Sequence, residues 1–152
     1  MTDWPEFAEG LTETLATLPA GALVVVSERV PRSERIRFAQ FCWYDKGIQA
    51  EIPGGRRLNM TDADGVRIIT AAGWQEPRPP WDGENWWTRL PWPATTDSYR
   101  NLASMVVTAL RDAYGIPGPD ALEYDAWDEN SGNSRLEFPL LGITFHPNKQ
   151  NF

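Results

Sequence analysis

The chain has few of the residues and motifs on which enzymes and metal sites depend. It contains one cysteine and one histidine in 152 residues, Cys42 and His146. A single cysteine excludes an internal disulfide, and zinc would lack the soft ligands that it prefers. The sequence also lacks G-x-G-x-x-G, Walker A, G-x-S-x-G and H-E-x-x-H motifs. We therefore predict a protein with no catalytic residues, no cofactor and no metal, in which Cys42 is a buried, inert thiol.

Basic residues and long hydrophobic runs are also scarce. The formal net charge is −7, with 14 Lys and Arg against 21 Asp and Glu. This balance argues against nucleic acid, because phosphate binding needs a basic face. The longest apolar run, residues 22–26, is too short for a signal-peptide core or a membrane span. The sequence predicts a cytoplasmic protein that binds neither nucleic acid nor a membrane.

Tryptophan is abundant by contrast. Five of the eight tryptophans lie between residues 74 and 92, interleaved with four prolines and followed by a fifth, Pro93. Rigid amphipathic rings suit a recognition surface for peptide or sugar, but they also suit a loop that folds over a small core. Trp74 follows Gly73 at a predicted helix end, where it would close the cap. Neighbouring residues of a strand point to opposite faces, so at least one of Trp86 and Trp87 should be buried.

The pattern of apolar residues predicts an α+β fold. Steps of three and four residues predict three helices, which begin at Asp3, at Thr61 or Asp62, and at Asp97 or Ser98. Strands are predicted over residues 23–28, 35–43, 48–52, 85–90 and 122–127. A polar break at residues 128–133 then separates a hydrophobic tail. We predict one domain over residues 1–128, followed by a linker and C-terminal tail over residues 129–152.

Several short sequence features occur in an order that resembles the pattern of a known family. They are Phe38-x-Gln40-Phe41, Ile48-x-Ala50-Glu51, Leu58, Gly73-Trp74-x-x-Pro77, Asn85-Trp86, Leu102-Ala103, Leu110-Arg111, Tyr114-Gly115-Ile116 and Leu122-x-Tyr124. Over residues 4–127 the chain resembles the TY-Chap superfamily, the small bacterial α+β domains of type III secretion chaperones and YbjN-like proteins. The resemblance implies helices packed on one face of a twisted antiparallel sheet. It also implies a non-enzymatic chaperone or adaptor, typically a homodimer, that holds an extended segment of a client protein.

A sheet covered on one face leaves its other face and its edges available to a partner. In the second predicted strand, Phe41 and Trp43 alternate with Arg35 and Arg37, and we predict that this face is the uncovered one. The predicted partner-binding residues are Phe41, Trp43, Trp81, Trp87 and Trp92. The same sheet face could instead be a subunit interface.

Two other functions stay open from the sequence. The Trp-rich loop could be a stacking platform in a small-ligand or glycan-binding domain, or the acidic chain could be an immunity-type inhibitor of a toxin. The sequence also leaves open whether the tail packs on its own domain, on a second subunit or on a partner.

Overall fold

The computed structural model describes residues 2–29, 37–54, 62–77 and 85–146 of the chain. These ranges contain three α-helices and seven strands. The helices are α1 (Trp4–Ala16), α2 (Ala63–Ala72) and α3 (Thr96–Val107), and α3 continues as a π-helical segment, Thr108–Ala113. The strands are β1 (Ala22–Glu28), β2 (Phe38–Tyr44), β3 (Gly47–Ile52), β4 (Trp86–Pro91), β5 (Leu122–Asp128), β6 (Ser134–Arg135) and β7 (Thr144–Phe145).

The strands form one sheet in the order β4-β3-β2-β1-β5-β6, with β7 beside the other end of β5. All pairs are antiparallel except β5 and β7, which are parallel. Val24 of β1 lies opposite Phe41 on one side and opposite Ala126 on the other. Residues opposite one another share a face of the sheet, so this row fixes which side chains point toward the helices.

The hydrophobic core lies between the helices and that face. Alternate residues of the four long central strands are buried there, and so are apolar stripes of α1 and α3. The core includes Phe7, Leu11, Leu15, Val24, Val26, Phe41, Ile48, Ala50, Ile52, Leu102, Val106, Leu110, Leu122, Tyr124 and Ala126. The predicted α+β fold, with helices packed on one face of an antiparallel sheet, is confirmed.

The first two helices begin where the sequence predicts. The Asp3 carboxylate accepts a hydrogen bond from the Glu6 amide at 2.9 Å, and Asp62 accepts one from Gly65 at 2.9 Å. An N-cap of this kind contributes about 1 kcal/mol to stability. At the end of α2, Gly73 has φ of 110°, a left-handed conformation that glycine adopts without a steric penalty.

The third helix begins earlier than predicted. Its N-cap is Thr95, whose hydroxyl accepts a hydrogen bond from the Ser98 amide at 3.1 Å. The prediction of Asp97 or Ser98 is therefore wrong. Asp97 lies in the first turn instead, where its charge interacts favourably with the positive end of the helix dipole.

Two of the clustered tryptophans belong to the core. Trp74 is 4% exposed, and its indole N–H donates to the Met105 carbonyl at 3.3 Å. Trp86, at the start of β4, is 7% exposed, whereas Trp87 is only partly buried. The structural interpretation of Trp74 is confirmed, and so is the prediction that at least one of Trp86 and Trp87 is buried.

The segment after β5 packs on the rest of the chain. Leu141 is fully buried, and the backbone of Leu140 lies so close to α1 that its carbonyl oxygen is 1.8 Å from where a Cβ on Gly10 would stand. Only glycine permits that approach. The Phe138 amide also donates to the Tyr124 hydroxyl at 2.7 Å. Up to residue 146 the tail therefore packs on its own chain, and the domain boundary at residue 128 stays a prediction.

Candidate functional site

The face of the sheet turned away from the helices is the candidate site, and we call it the open face. Two rows of side chains cross it, as the strand register shows. One row is Arg135, Trp127, Leu23, Cys42, Gln49 and Arg89, and the next is Asp125, Val25, Gln40, Glu51 and Trp87. Most of these side chains are partly exposed, in contrast to the buried row beside them. In the described part of the chain, the core contributed by the helices lies on the other face.

An apolar pocket lies at the centre of the open face. Its volume is about 160 Å³, which is close to that of a cavity of about 150 Å³ that binds benzene. It is lined by Leu23, Val24, Val25, Gln40, Phe41, Cys42 and Trp127. Val24 and Phe41 border the pocket through their backbone, because their side chains point to the core. One aliphatic or aromatic side chain of a partner would fill this pocket.

A second pocket adjoins the first along β5 and carries negative charge. It has a volume of about 100 Å³ and is lined by Val25, Ser27, Glu123, Tyr124, Asp125, Trp127 and His146. Two of its residues, Val25 and Trp127, also line the apolar pocket. Asp125 is 7% exposed and accepts a hydrogen bond from the Ala126 amide, whereas the Glu123 side chain is 23% exposed. Glu123 is therefore the carboxylate that a partner can reach.

The β4 side of the open face is more polar and is held by local contacts. The Arg89 guanidinium lies over the rings of Tyr44 and Trp87, 5.0 and 5.4 Å from their centroids. Arg89 also donates to the Gln49 side chain at 2.9 Å, and the Trp87 indole N–H donates to the Glu76 carbonyl at 3.1 Å. These contacts hold both rings against charged and polar groups. This side is therefore the polar border of the open face.

The sheet edges in the described part of the chain offer little room for strand addition. On the β4 edge, Gln75 and Trp87 exchange backbone hydrogen bonds of 2.8 and 3.2 Å, and Pro91 has no N–H to donate. On the β5 edge, the carbonyls of Tyr124 and Ala126 already accept hydrogen bonds from the segment that follows β5. Short and occupied edges do not favour an added strand. The open face is thus a better site for a partner than the edges.

The prediction that Phe41 and Trp43 lie on the uncovered face is wrong. Phe41 is 1% exposed and lies in the core. Arg37 does not indicate the exposed face of β2, because it precedes the first residue of the strand. Arg37 instead reaches the Glu28 carboxylate at 3.8 Å and the backbone carbonyl of Tyr114. The uncovered face of β2 carries the alternate residues, Gln40 and Cys42.

The other predicted residues do not form one surface. Trp43 and Trp92 stack on each other, with centroids 6.3 Å apart and an interplanar angle of 11°. They lie at one end of the sheet, on the side of the helices, because Trp43 is two residues after Phe41 and shares its face. Trp87 is on the open face. Trp81 lies outside the described residues, and its role stays a prediction.

Cys42 lies on the open face, partly buried beside the apolar pocket. Burial raises the pKa of its thiol, and the nearby Glu51 carboxylate raises it further. A raised pKa keeps the thiol protonated at neutral pH. A protonated thiol is a poor nucleophile, because the thiolate is the reactive form. The predicted burial of Cys42 is therefore only partial, and its inertness stays a prediction. In the described ranges, no three His, Cys, Asp or Glu side chains are placed to hold a metal ion.

Three residues that line the apolar pocket are not recognisable from the sequence as site residues. They are Leu23, Val25 and Trp127. The three consecutive valines of β1 give no alternation of polar and apolar residues, so the strand has the composition of one buried on both faces. Trp127 lies among acidic residues that suggest a solvated edge. The available signal is Ser27, a polar residue two positions after Val25 on the same face.

The fold and this face define a class of protein: a small α+β domain whose sheet is covered by helices on one face and open on the other. Residues 1–128 match the family model TY-Chap3, described as T3SS (YopN, CesT) and YbjN peptide-binding chaperone 3, and the chain belongs to this family. No match is found among curated proteins or among solved structures. No helix among the described residues has the length and apolar character needed to span a membrane.

Proposed function

We propose that the protein is a non-enzymatic peptide-binding chaperone or adaptor that holds an extended segment of a client on the open face. The observation that carries this proposal is the apolar pocket between β1, β2 and β5. It supplies an anchor for one client side chain, and removal of that side chain from water supplies the driving force. The family description supports a peptide as the ligand.

The edge geometry supports binding across the face rather than pairing with an edge strand. An added strand would need several consecutive free N–H and C=O groups, and Gln75 and Pro91 limit these on β4. A segment lying across the open face depends on side-chain contacts instead. The expected client segments therefore share apolar side chains and need no β propensity.

A pair of matched double variants tests the proposal. Leu23→Thr with Val25→Thr removes apolar surface from the open face and keeps the charge and, at Val25, the β-branched shape. Peptides selected on the unaltered protein from a random library, measured by fluorescence anisotropy, should then bind at least about tenfold more weakly, because a buried Leu or Val contributes about 1.5–3 kcal/mol.

The control makes the same replacements elsewhere. Leu140→Thr with Val66→Thr alters the two large hydrophobic residues that are most exposed in the described ranges, at 60% and 39%, and should leave the affinity unchanged. Equal affinities for the two double variants would reject the open face as the binding site. Thermal melts of both variants confirm that each one is folded.

Self-association as a homodimer, a cytoplasmic location and the absence of catalysis stay predictions. If the open face takes the client, a homodimer must use another surface, since a second copy on this face would exclude the peptide. Sedimentation then gives the same mass for the unaltered protein and for the Leu23→Thr, Val25→Thr variant. A dimer that dissociates only in this variant would assign the face to subunit contact.

The glycan alternative receives no support from the described rings. Trp43 and Trp92 cover each other, and Trp87 is held by Arg89 and Glu76. A sugar platform needs open ring faces side by side. A saturable change of tryptophan fluorescence with oligosaccharides, absent with peptides, would favour it over the proposal. An immunity-type inhibitor would be indicated by a basic protein partner whose association slows with added salt.

A further inference from the structure

The two adjoining pockets of the open face differ in chemistry, and the difference selects a class of client. This inference rests on the proposed function and specifies its ligand. We propose that the preferred client segment carries an apolar residue with a lysine or arginine two or three positions away. The apolar side chain occupies the pocket at Leu23, Val25 and Trp127, and the cation lies against Glu123.

The spacing follows from the shared walls of the two pockets. Val25 and Trp127 line both, so the two occupants are immediate neighbours. Val25 is directly opposite Asp125, and Ser27 is opposite Glu123. Paired strands are separated by about 4.8 Å, and an extended peptide advances about 3.3 Å per residue. From Val25, the nearest anchor residue, to Glu123 the path runs two residues along β1 and across to β5, about 8 Å, which two or three peptide residues cover.

The charge of the acidic pocket favours a cation over an anion or a neutral side chain. Glu123 supplies the carboxylate of this pocket that a partner can reach, and Arg135, which is opposite Trp127, lies four residues along β5 from Glu123. Arg89 and Arg135 stand at opposite ends of the row that contains Leu23. His146 is near, with its Nδ1 4.0 Å from Glu123 Oε2. A lysine or arginine can therefore form a charge-assisted hydrogen bond with Glu123.

The test begins with the composition of bound peptides. A random peptide library displayed on phage is selected on the full chain, and the selected sequences are compared with the unselected library. The expected result is enrichment of Lys and Arg two or three positions from an aliphatic or aromatic residue. Enrichment of apolar residues with no preference for basic neighbours would overturn this inference and leave the proposed function intact. If peptides bind equally to the Leu23→Thr, Val25→Thr variant, the proposed function itself fails.

Matched substitutions on both partners then locate the cation. In a selected peptide, Lys→Gln should weaken binding by about 3- to 10-fold and Lys→Glu by more, since a partly buried charge pair exceeds an exposed one in strength. Glu123→Gln should remove the difference between the Lys and Gln peptides. Glu13→Gln, on the exposed side of α1, makes the same change of net charge and should leave that difference in place.

The peptide series does not depend on the folding of any variant, so it tests the inference even if Glu123→Gln is unstable. Raising the salt concentration should reduce the affinity of the Lys peptide more than that of the Gln peptide. An equal response to salt, or a Lys preference that persists in Glu123→Gln, would overturn the placement of the cation at Glu123.

Discussion

At the scale of single residues, Tyr114 connects the end of the helical layer to the end of β3. Its ring is 4% exposed and its hydroxyl donates a hydrogen bond to the Pro53 carbonyl. Arg37 donates to the Tyr114 backbone carbonyl. Burial raises the pKa of the Tyr114 hydroxyl above its ordinary value of 10.0. The neutral phenol is therefore part of the folded state.

Tyr114→Phe leaves the Pro53 carbonyl without this donor, and we expect the free energy of unfolding to fall by about 1–2 kcal/mol at neutral pH. Tyr44→Phe removes the same atom from a partly exposed ring on the open face, and it should change stability by less than about 0.5 kcal/mol. Urea denaturation of the two variants measures the difference. Equal effects would show that the hydrogen bond to Pro53 does not contribute.

The raised pKa of Tyr114 also predicts a dependence on alkaline pH. The unfolded chain releases the phenolic proton near pH 10, while the folded state retains it, so the unfolded state binds fewer protons and stability falls as pH rises above about 10. The stability of the unaltered protein should therefore decline more steeply above that pH than the stability of Tyr114→Phe. Parallel curves in denaturation experiments from neutral to alkaline pH would contradict this.

At the scale of elements, the tail packs against α1 and buries the side chain of Leu141. Leu141 is 0% exposed and its neighbour Leu140 is 60% exposed. We expect Leu141→Ala to lower the free energy of unfolding by about 2–5 kcal/mol, and Leu140→Ala to change it by less than about 0.5 kcal/mol. Chemical denaturation of the matched pair measures this, and small effects of both substitutions would mean that the tail does not pack on the domain in solution.

Gly10 offers an independent test of the same contact. In an exposed helix, Gly→Ala stabilises by roughly 1 kcal/mol, but here the new methyl group would overlap the Leu140 carbonyl. Gly10→Ala should destabilise the protein, and Glu13→Ala, on the exposed side of the same helix, should be nearly neutral. A stabilised Gly10→Ala variant, judged by its melting temperature, would show that the tail can leave α1 without cost.

The elements themselves were largely predictable from the sequence. Helix α2 has both an Asp62 cap and a Gly73 stop, and Asp45-Lys46-Gly47 fits the tight connection between β2 and β3. Local signals of this kind act within a few residues. The tail was not predictable, since its contact with Gly10 joins segments that are far apart in the chain.

The candidate site was less predictable, because alternation gives two faces but not the one that is covered. In β2 the period is right and the face is reversed, since Arg37 belongs to the approach to the strand. In β1 the valines carry no alternation at all. Only the register with Phe41 and Ala126 shows that Val24 points to the helices and Val25 to the open face.

At the scale of the whole molecule, the central claim is that a client peptide lies on the open face. Adjacent residues of β1 provide an internal comparison, because Val24 and Val26 are 1% and 0% exposed in the core while Leu23 and Val25 line the pocket. Methyl NMR of the full chain, titrated with a selected peptide, measures all four side chains in one experiment. We predict large shifts of the Leu23 and Val25 methyl resonances and small shifts at Val24 and Val26. A bound peptide that leaves Leu23 and Val25 unshifted would contradict the account.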